Sequence, residues 1–195
     1  MSANVFLDTE FGGFLPDELQ LVSIGFVSET DRSLYLELDE VDPRSCSQFC
    51  RDVVLPLLDA GQKVSRDEAA IRVRDYLGSF GGAVTLWTDH PGYDVFLLRE
   101  LLANVRGTLP ELRICVPEFA RFIPRMTYRN HMEALFESKQ LRRHHALDDA
   151  KAMRAGWIAV RNSAPSEIRL AVEGADPFDR FRVAPPPPSP RDEDG

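Results

Sequence analysis

The chain has 195 residues, of which 44% are hydrophobic and 28% are charged, a composition typical of one globular domain with a substantial core. No apolar run approaches the roughly 20 residues that a membrane-spanning helix needs, so no membrane association is expected. The formal net charge of −8 argues at first against a polyanionic partner. Between Arg113 and Arg143, however, seven Lys or Arg accompany three Asp or Glu, a local net charge of +4. This basic segment fits contact with phosphates and fits a solvated helix face equally well.

Targeting and cysteine signals both favour the cytoplasm. The N-terminal sequence MSANVFLDTEF lacks the basic start and the small-residue cleavage site of a signal peptide. The three cysteines, Cys46, Cys50 and Cys115, are an odd number and form no Cys-x-x-Cys motif. We therefore expect a cytoplasmic protein with reduced, buried cysteines and without a thiolate zinc site.

The first part of the chain predicts three strands in an antiparallel meander. An apolar segment over residues 4–11 predicts the first strand, and a second strand is expected over residues 19–28. The third, over residues 33–38, places leucine at every second position, as in a half-buried strand. The turn at residues 29–32 suits a hairpin.

The rest of the chain predicts alternating helices and strands. A helix is expected over residues 45–58, although Pro56 weakens its end. Ser65 and Glu68 form a capping box ahead of a helix over residues 69–80. The apolar stripe of this helix is expected to consist of Ile71, Tyr76 and Phe80. The remaining elements are expected to be strands over residues 83–87 and 112–116 and helices over residues 93–105, 130–141 and 146–160.

This order of elements predicts an α/β fold with a ribonuclease-H-like mixed sheet, three antiparallel strands then two parallel strands, flanked by helices. Residues 1–162 are expected to form one domain and residues 163–195 a C-terminal extension. The extension ends in a proline-rich run and a charged segment, for which we expect a disordered tail with polyproline II structure. Binding of the tail in a partner groove is the alternative.

Two acids on the first strand indicate a metal site. Side chains two positions apart on a strand share one face, so Asp8 and Glu10 are expected about 6–7 Å apart on the same side. Two carboxylates on an otherwise apolar strand repel each other unless a cation neutralises them, and hard oxygen ligands select Mg²⁺ or Mn²⁺. The alternative is a strand that ends at Leu7 with both acids solvated, which Phe11 directly after them makes less favourable.

A third acid, Asp94, lies in the first turn of the helix over residues 93–105. The helix macrodipole stabilises an acid there without any function. However, Asp94 precedes Leu97 and Leu98 by three and four residues, which places it on the buried stripe of the helix. A carboxylate in that position needs a partner, and a shared metal ion would supply one.

The segment HHALDDA contains a fourth acid and a candidate base. On a helical wheel one apolar arc is formed by Ala146, Ala150, Met153, Trp157 and Val160. Asp149 lies at the edge of this arc and Asp148 lies nearly opposite, so Asp149 is the expected inward acid. His144 cannot share a helical face with Asp149 and must approach from the preceding loop, where it can accept a proton from water. A surface pair of His144 and His145 is the alternative.

Together these motifs resemble the DEDDh (DnaQ-like) 3′-to-5′ exonucleases. Members of that family carry Asp-x-Glu in the first strand, an aspartate after an aromatic residue at the head of a middle helix, and His-x4-Asp near the end. The matching residues here are Asp8 and Glu10 in FLDTEF, Asp94 in GYDVFLL, and His144 and Asp149 in HHALDDA. Each motif alone has low specificity, but the ordered set extends over residues 4–160, and His144 favours the DEDDh group over the related DEDDy group.

The resemblance implies phosphodiester hydrolysis with two divalent cations, Mg²⁺ or Mn²⁺. In the family, the residue matching Asp8 contacts both ions. The residues matching Glu10 and Asp149 hold the ion on the side of the attacking water, and the one matching Asp94 holds the second ion. His144 would be the general base.

The phrases FLDTEF, QLVSIG and YDVFLL are most similar to the ribonuclease-T-like exoribonucleases. This similarity implies single-stranded RNA, degraded from its 3′ end, as the substrate and a homodimer as the assembly. The same chemistry on single-stranded DNA is the nearest alternative, and Gly12 and Gly13 after Asp-x-Glu also resemble proofreading subunits. A non-catalytic nucleic-acid-binding module on the same fold is the third hypothesis.

Two further sets of residues are candidates for substrate contact. Phe11 and Leu21 match positions where the family stacks or wedges the terminal base, although a core position is the alternative for Phe11. Arginines in the basic segment would make binding salt-dependent by contacting backbone phosphates. These candidates are Arg125, Arg129, Arg142 and Arg143.

Overall fold

The computed structural model describes residues 2–59, 61, 63–116 and 125–163. Within these residues a five-stranded sheet is flanked by four α-helices. The strands are β1 (Ala3–Phe11), β2 (Leu21–Ser28), β3 (Ser33–Glu37), β4 (Val84–Trp87) and β5 (Leu112–Cys115). The helices are α1 (Arg66–Gly78), α2 (Pro91–Leu102), α3 (Arg125–Glu137) and α4 (Ala146–Ser163).

The sheet has the strand order β3-β2-β1-β4-β5, with β1 in the centre. Strands β1, β2 and β3 pair antiparallel, whereas β4 pairs parallel with β1 and with β5. The predicted mixed sheet of three antiparallel and two parallel strands is confirmed. Because β1 and β4 are parallel neighbours, the residues that follow β4 lie beside the carboxyl end of β1.

Helices cover both faces of the sheet, so β1 is buried on both sides. Val5 and Leu7 pack in a core that includes the leucines of α1 and α2. Phe6 points to the opposite face, where its ring lies 6.3 Å from that of Trp87 and 5.7 Å from that of Trp157 in α4. The alternation of side chains along β1 therefore sends its even-numbered residues toward α4.

The helix predicted over residues 45–58 is helical at residues 48–57, but it is not a regular α-helix. The segment forms a 3-10 turn at Pro43–Ser45, a π-helical turn at Cys50–Val54 and another 3-10 turn at Leu55–Leu57. Pro56 has no amide hydrogen and its ring clashes with the preceding turn, so regular α-helical bonding cannot continue through it.

Helix α1 begins as its capping box predicts, since the Ser65 side chain accepts a hydrogen bond from the backbone N–H of Glu68. The prediction that Ile71 belongs to the buried stripe was wrong, because this side chain is 46% exposed. The buried residues of α1 are Ala69, Ala70, Val73 and Leu77. Ile71 is about 200° from Val73 on the helical wheel and therefore faces away from the core.

The last two helices differ from their predicted limits. Helix α3 begins at Arg125 and ends shortly before Lys139, whose φ of 57° is incompatible with continuing the helix. Helix α4 continues to Ser163, and residues 164–195, with the predicted tail, lie outside the described residues. No helix in the described part of the chain is both long and apolar enough to cross a bilayer.

Gly25 in β2 allows α4 to approach the sheet closely. It pairs with Asp8 across the β1–β2 ladder. A Cβ atom on Gly25 would lie only 2.4 Å from the carbonyl carbon of Ala146 and 2.4 Å from the backbone nitrogen of Leu147. These are backbone atoms of the first turn of α4, so they cannot rotate away from the added methyl group. Gly25 therefore sets the distance between α4 and the strand beside Asp8.

We expect Gly25→Ala to lower the free energy of unfolding by about 1–3 kcal/mol, because the methyl group overpacks the contact between β2 and α4. Urea unfolding measures this loss. Gly78→Ala in α1 is the matched control, since a Cβ there meets no atom within 4 Å. The control is expected to be neutral or slightly stabilising, and equal effects of both substitutions would contradict the close approach.

Candidate active site

A cavity of about 580 Å³ lies at the carboxyl end of β1. The acids and the histidine predicted from sequence motifs all line it, although they come from four separate segments. These residues are Asp8 and Glu10 from β1, Asp94 from α2, His144 from the loop before α4, and Asp149 from the first turn of α4. The structure therefore brings the five predicted residues to one place.

Asp8 and Glu10 share the face of β1 that α4 covers. Asp8 is half-buried and Glu10 is buried, with 8% of its surface exposed. The pKa of Glu10 is raised to about 8, first by burial and then by the charges of Asp149 and Asp94. Burial, followed by the charges of Asp94, Asp149, Glu10 and Asp89, raises the pKa of Asp8 well above its ordinary value. The cluster therefore favours either bound protons or a cation at neutral pH.

Asp94 is held by two threonines from neighbouring strand segments. The backbone N–H of Thr9 donates to Asp94 Oδ1 at 3.1 Å, and the Thr9 hydroxyl donates to the same oxygen at 2.6 Å. The Thr88 hydroxyl donates to Asp94 Oδ2. The carboxyl is only 1% exposed, and its pKa is raised by burial even though these hydrogen bonds lower it. Asp94 is therefore fixed in one orientation beside β1.

Asp149 joins the cluster from the first turn of α4. The backbone N–H of His144 donates to Asp149 Oδ2 at 2.8 Å. Burial raises the pKa of Asp149 to about 7, although the backbone hydrogen bonds from His144 and His145 oppose this shift. One ligand atom each from Glu10, His144 and Asp149 lie within 4.8 Å of one another. This donor set, with Asp8 beside it, fits a divalent cation that prefers oxygen ligands.

His144 faces the cavity from a constrained loop. Its φ of 65° is in the left-handed region, which is uncommon for residues other than glycine. Burial, and then the charge of Arg143, lowers the pKa of the imidazole, so the ring is neutral at neutral pH. The ring of Phe49 meets it edge-on, with the centroids 5.0 Å apart. A neutral imidazole beside a cluster of carboxylates can accept a proton from water.

A fifth acid, Asp89, also lines the cavity and was missed by the sequence analysis. It lies two residues after the end of β4, and the Tyr128 hydroxyl donates to its Oδ1 at 3.2 Å. The charge of Asp89 contributes to the raised pKa of Asp8. Its position in the sequence, shortly after a predicted strand, could have marked it as a candidate site residue, because ligands of open α/β sheets bind outside the carboxyl ends of the strands.

An aromatic wall, formed by Phe11, Phe14 and Tyr93, lines another part of the cavity. The rings of Phe11 and Tyr93 stack at 5.0 Å with an interplanar angle of 17°, and Phe14 meets each of them at 5.3 Å in an edge-on arrangement. Phe14 is 70% exposed. Leu21, the other predicted base-contacting residue, is 4% exposed and packs in the core. Only Phe11 of this predicted pair reaches the cavity.

The four predicted phosphate-binding arginines lie in different settings. Arg143 lines the cavity and pairs with Glu133 at 2.5 Å. The guanidinium of Arg142 contacts protein groups in the first turn of α4 and in the segment before α1. Arg129 is exposed on α3, and the side chain of Arg125 lies outside the described residues.

No family model matches the sequence, and no curated protein matches it. Solved structures of exonucleases do share its fold. Exonuclease I from Methylocaldum szegediense superposes with a TM-score of 0.60 at 16% identity, covering 87% of this chain and 42% of its own. Exonuclease I from E. coli, in a complex with a dA16 oligonucleotide, gives a TM-score of 0.54 at 10% identity, with 86% of this chain and 42% of that chain covered.

A third solved structure, S. pombe Pop2p in its Mg²⁺- and Mn²⁺-bound form, has a TM-score of 0.52 at 16% identity. It covers 82% of this chain and 83% of its own. The present chain thus spans about two fifths of the exonuclease I chains and most of Pop2p. At these identities the likeness concerns the fold, and the predicted ribonuclease-H-like fold is confirmed.

The raised carboxyl pKa values predict that stability without metal falls as the pH rises. A carboxyl whose pKa is higher in the folded state contributes stability below its unfolded pKa of about 4, and this contribution is lost as the pH passes the folded value. The folded values are about 7 for Asp149 and about 8 for Glu10. In chelator, the free energy of unfolding should therefore decrease between pH 5 and pH 8, as followed by urea unfolding.

Two comparisons separate this effect from the general charge repulsion of an acidic chain. Glu10→Gln removes one of the titrating groups, so its stability should depend less steeply on pH. Mn²⁺ should restore stability most at the alkaline end, because a bound cation replaces the protons. A slope that neither Glu10→Gln nor Mn²⁺ reduces would contradict the assignment to this cluster.

Proposed function

We propose that the chain is a metal-dependent 3′-to-5′ exonuclease that hydrolyses phosphodiester bonds of single-stranded nucleic acid, with RNA as the preferred substrate. One observation carries the proposal, the meeting of Asp8, Glu10, Asp94, Asp149 and His144 in a single cavity. Burying four carboxylates together is unfavourable unless they bind cations, and a neutral histidine beside them supplies a base. The exonuclease I structures with the same fold support this reading.

The chemistry of the donor set fits Mg²⁺ or Mn²⁺. When bound, two such cations position hydroxide for attack and stabilise the leaving 3′ oxygen. Asp8 would contact both ions, Glu10 and Asp149 would hold the ion on the side of the attacking water, and Asp94 would hold the other. The two threonine hydroxyls on Asp94 fix its orientation for this role.

His144 would take the proton of the attacking water on an imidazole nitrogen. Its lowered pKa keeps the ring able to accept that proton at neutral pH. The backbone N–H of His144 is bound to Asp149, so the base and a metal ligand are held together. The later release of the proton to solvent would return the ring to its neutral form.

The aromatic wall is suited to the terminal base of a single strand, since stacking tolerates every base. Arg143 at the cavity is the best placed of the predicted arginines for a backbone phosphate. The preference for RNA rests on the resemblance of FLDTEF, QLVSIG and YDVFLL to the ribonuclease-T-like branch. A homodimer and a cytoplasmic location belong to the same proposal.

Single-stranded DNA is the second candidate substrate. Exonuclease I structures with the same fold contain DNA oligonucleotides, among them dA16 and 5cy-dA13. A non-catalytic binding module would not need buried acids around a histidine, so the cavity disfavours that third hypothesis. RNA and DNA oligonucleotides of one sequence, labelled at the 5′ end, distinguish the first two by their relative rates.

Asp8→Asn should abolish degradation, because Asp8 is the proposed ligand of both cations. The assay follows a 5′-labelled single strand with Mg²⁺, Mn²⁺ or chelator, and a ladder shortening from the 3′ end is expected only with metal. Asp67→Asn, which changes an exposed acid of α1, is the matched control and should retain full rate. Metal-independent cleavage, or an active Asp8→Asn protein, would overturn the proposal.

Phe14→Ala should raise KM for a single strand by roughly 5- to 100-fold, which corresponds to about 1–3 kcal/mol of stacking per base. Phe14 is 70% exposed, so its removal should leave the fold intact. Phe96→Ala provides the control, because Phe96 is 46% exposed on α2 and is absent from the cavity lining. Equal KM values for the two variants would show that the aromatic wall does not contact the substrate.

A further inference from the structure

A second polar cluster lies next to the cavity, centred on the guanidinium of Arg142. Its Nε donates to Asp148 Oδ2 at 2.7 Å and its Nη1 donates to Asp59 Oδ1 at 2.7 Å. Its Nη2 lies 3.0 Å from Nε2 of His145, whose ring centroid is 4.4 Å from that of Tyr35 in β3. We call these five residues, Tyr35, Asp59, Arg142, His145 and Asp148, the arginine clamp.

The segment HHALDDA contains two adjacent histidines and two adjacent aspartates. One member of each pair lies at the cavity and the other belongs to the arginine clamp. His144 and Asp149 line the cavity, and they are joined by the hydrogen bond from the His144 backbone. His145 and Asp148 belong to the clamp, where the backbone N–H of Asp148 lies 3.4 Å from His145 Nδ1. His144 and Asp149 thus each have a direct neighbour in the chain that contacts Arg142.

The two residues of HHALDDA that belong to the arginine clamp are buried. His145 is 1% exposed and Asp148 is 7% exposed. Asp148 lies nearly opposite the apolar arc of the helical wheel, yet it is buried because Arg142 folds back over the first turn of α4 and covers it. Both the backbone N–H and the guanidinium of Arg142 donate to Asp148 Oδ2. Removing Asp148 would leave the guanidinium without the more buried of its two acidic partners.

His144 needs such support, because its left-handed backbone conformation is unfavourable for a non-glycine residue. The loop is fixed on one side by Arg142 and on the other by His145 and Asp148. Arg142 also donates to the backbone oxygen of Leu57, which ties the loop to the segment before α1. Within the described residues, these contacts hold the chain in place on both sides of His144.

We propose that Arg142 and Asp148 are positioning residues that hold His144 in the orientation required of the base. This inference rests on the proposed function, in which His144 accepts the proton of the attacking water. Neither residue touches the substrate in this account. Their effect reaches the reaction only through the loop that carries His144.

Steady-state kinetics of a double-mutant cycle test the proposal. Asp148→Ala should lower kcat about 10- to 100-fold with little change in KM, because misplacing a base by about 1 Å costs roughly 100-fold. Asp148→Asn, which keeps an acceptor for Arg142, should lose less. In a His144→Ala background, Asp148→Ala should cause no further loss, since the residue acts through a base that is already absent. The same loss in both backgrounds would overturn the proposal.

Amide hydrogen exchange gives a readout that does not depend on activity. Asp148→Ala and Asp148→Asn should speed the exchange of the His144 amide, whereas exchange in β1 should stay slow. Glu68→Ala, which breaks an exposed ion pair with Arg72 on α1, is the control and should change neither rate nor exchange. Unchanged protection of His144 would refute the clamp even if the chain proved to have no nuclease activity. An inactive wild-type chain with a loosened His144 would instead refute only the proposed function.

Discussion

The mutual repulsion of buried carboxylates is the constraint on which the site depends. Asp8, Glu10, Asp94 and Asp149 come together in a cavity where burial is the largest cause of each raised pKa. Such an arrangement is stable only with bound protons or bound cations. The fold must therefore force these groups together against their repulsion, and a divalent cation removes the penalty that the fold imposes.

Several features of the fold produce this convergence. Parallel pairing of β1 with β4 brings the start of α2, and with it Asp94, to the end of β1. Antiparallel pairing of β1 with β2 places Gly25 opposite Asp8, and the missing side chain there lets α4 deliver Asp149. Thr9 points to the other face of β1 from Asp8 and Glu10, where it orients Asp94. One strand thus supplies two of the proposed metal ligands and the support of a third.

Much of this site could be predicted from local periodicity. The period of two along β1 placed Asp8 and Glu10 on one face, and the helical period placed Asp94 on the buried stripe of α2. Periodicity failed for Asp148, because its burial depends on the side chain of Arg142, which comes from the preceding loop and also pairs with Asp59. The family resemblance failed for Leu21, since a matching position does not specify whether a side chain reaches the cavity or the core. Asp89 belongs to none of the recognised sequence motifs. It lies beside Asp8 because β4, which precedes it, is the parallel neighbour of β1.

A crystal structure with Mn²⁺, in which the anomalous scattering of the metal locates the ions, tests whether the buried carboxylates bind cations. Two anomalous peaks are expected in the cavity, both contacted by the carboxylate of Asp8, with Glu10 and Asp149 at one peak and Asp94 nearer the other. His144 should lie close to the first peak and not displace a carboxylate from it. A cavity without manganese under these conditions, or manganese bound only at exposed acids elsewhere, would contradict the account.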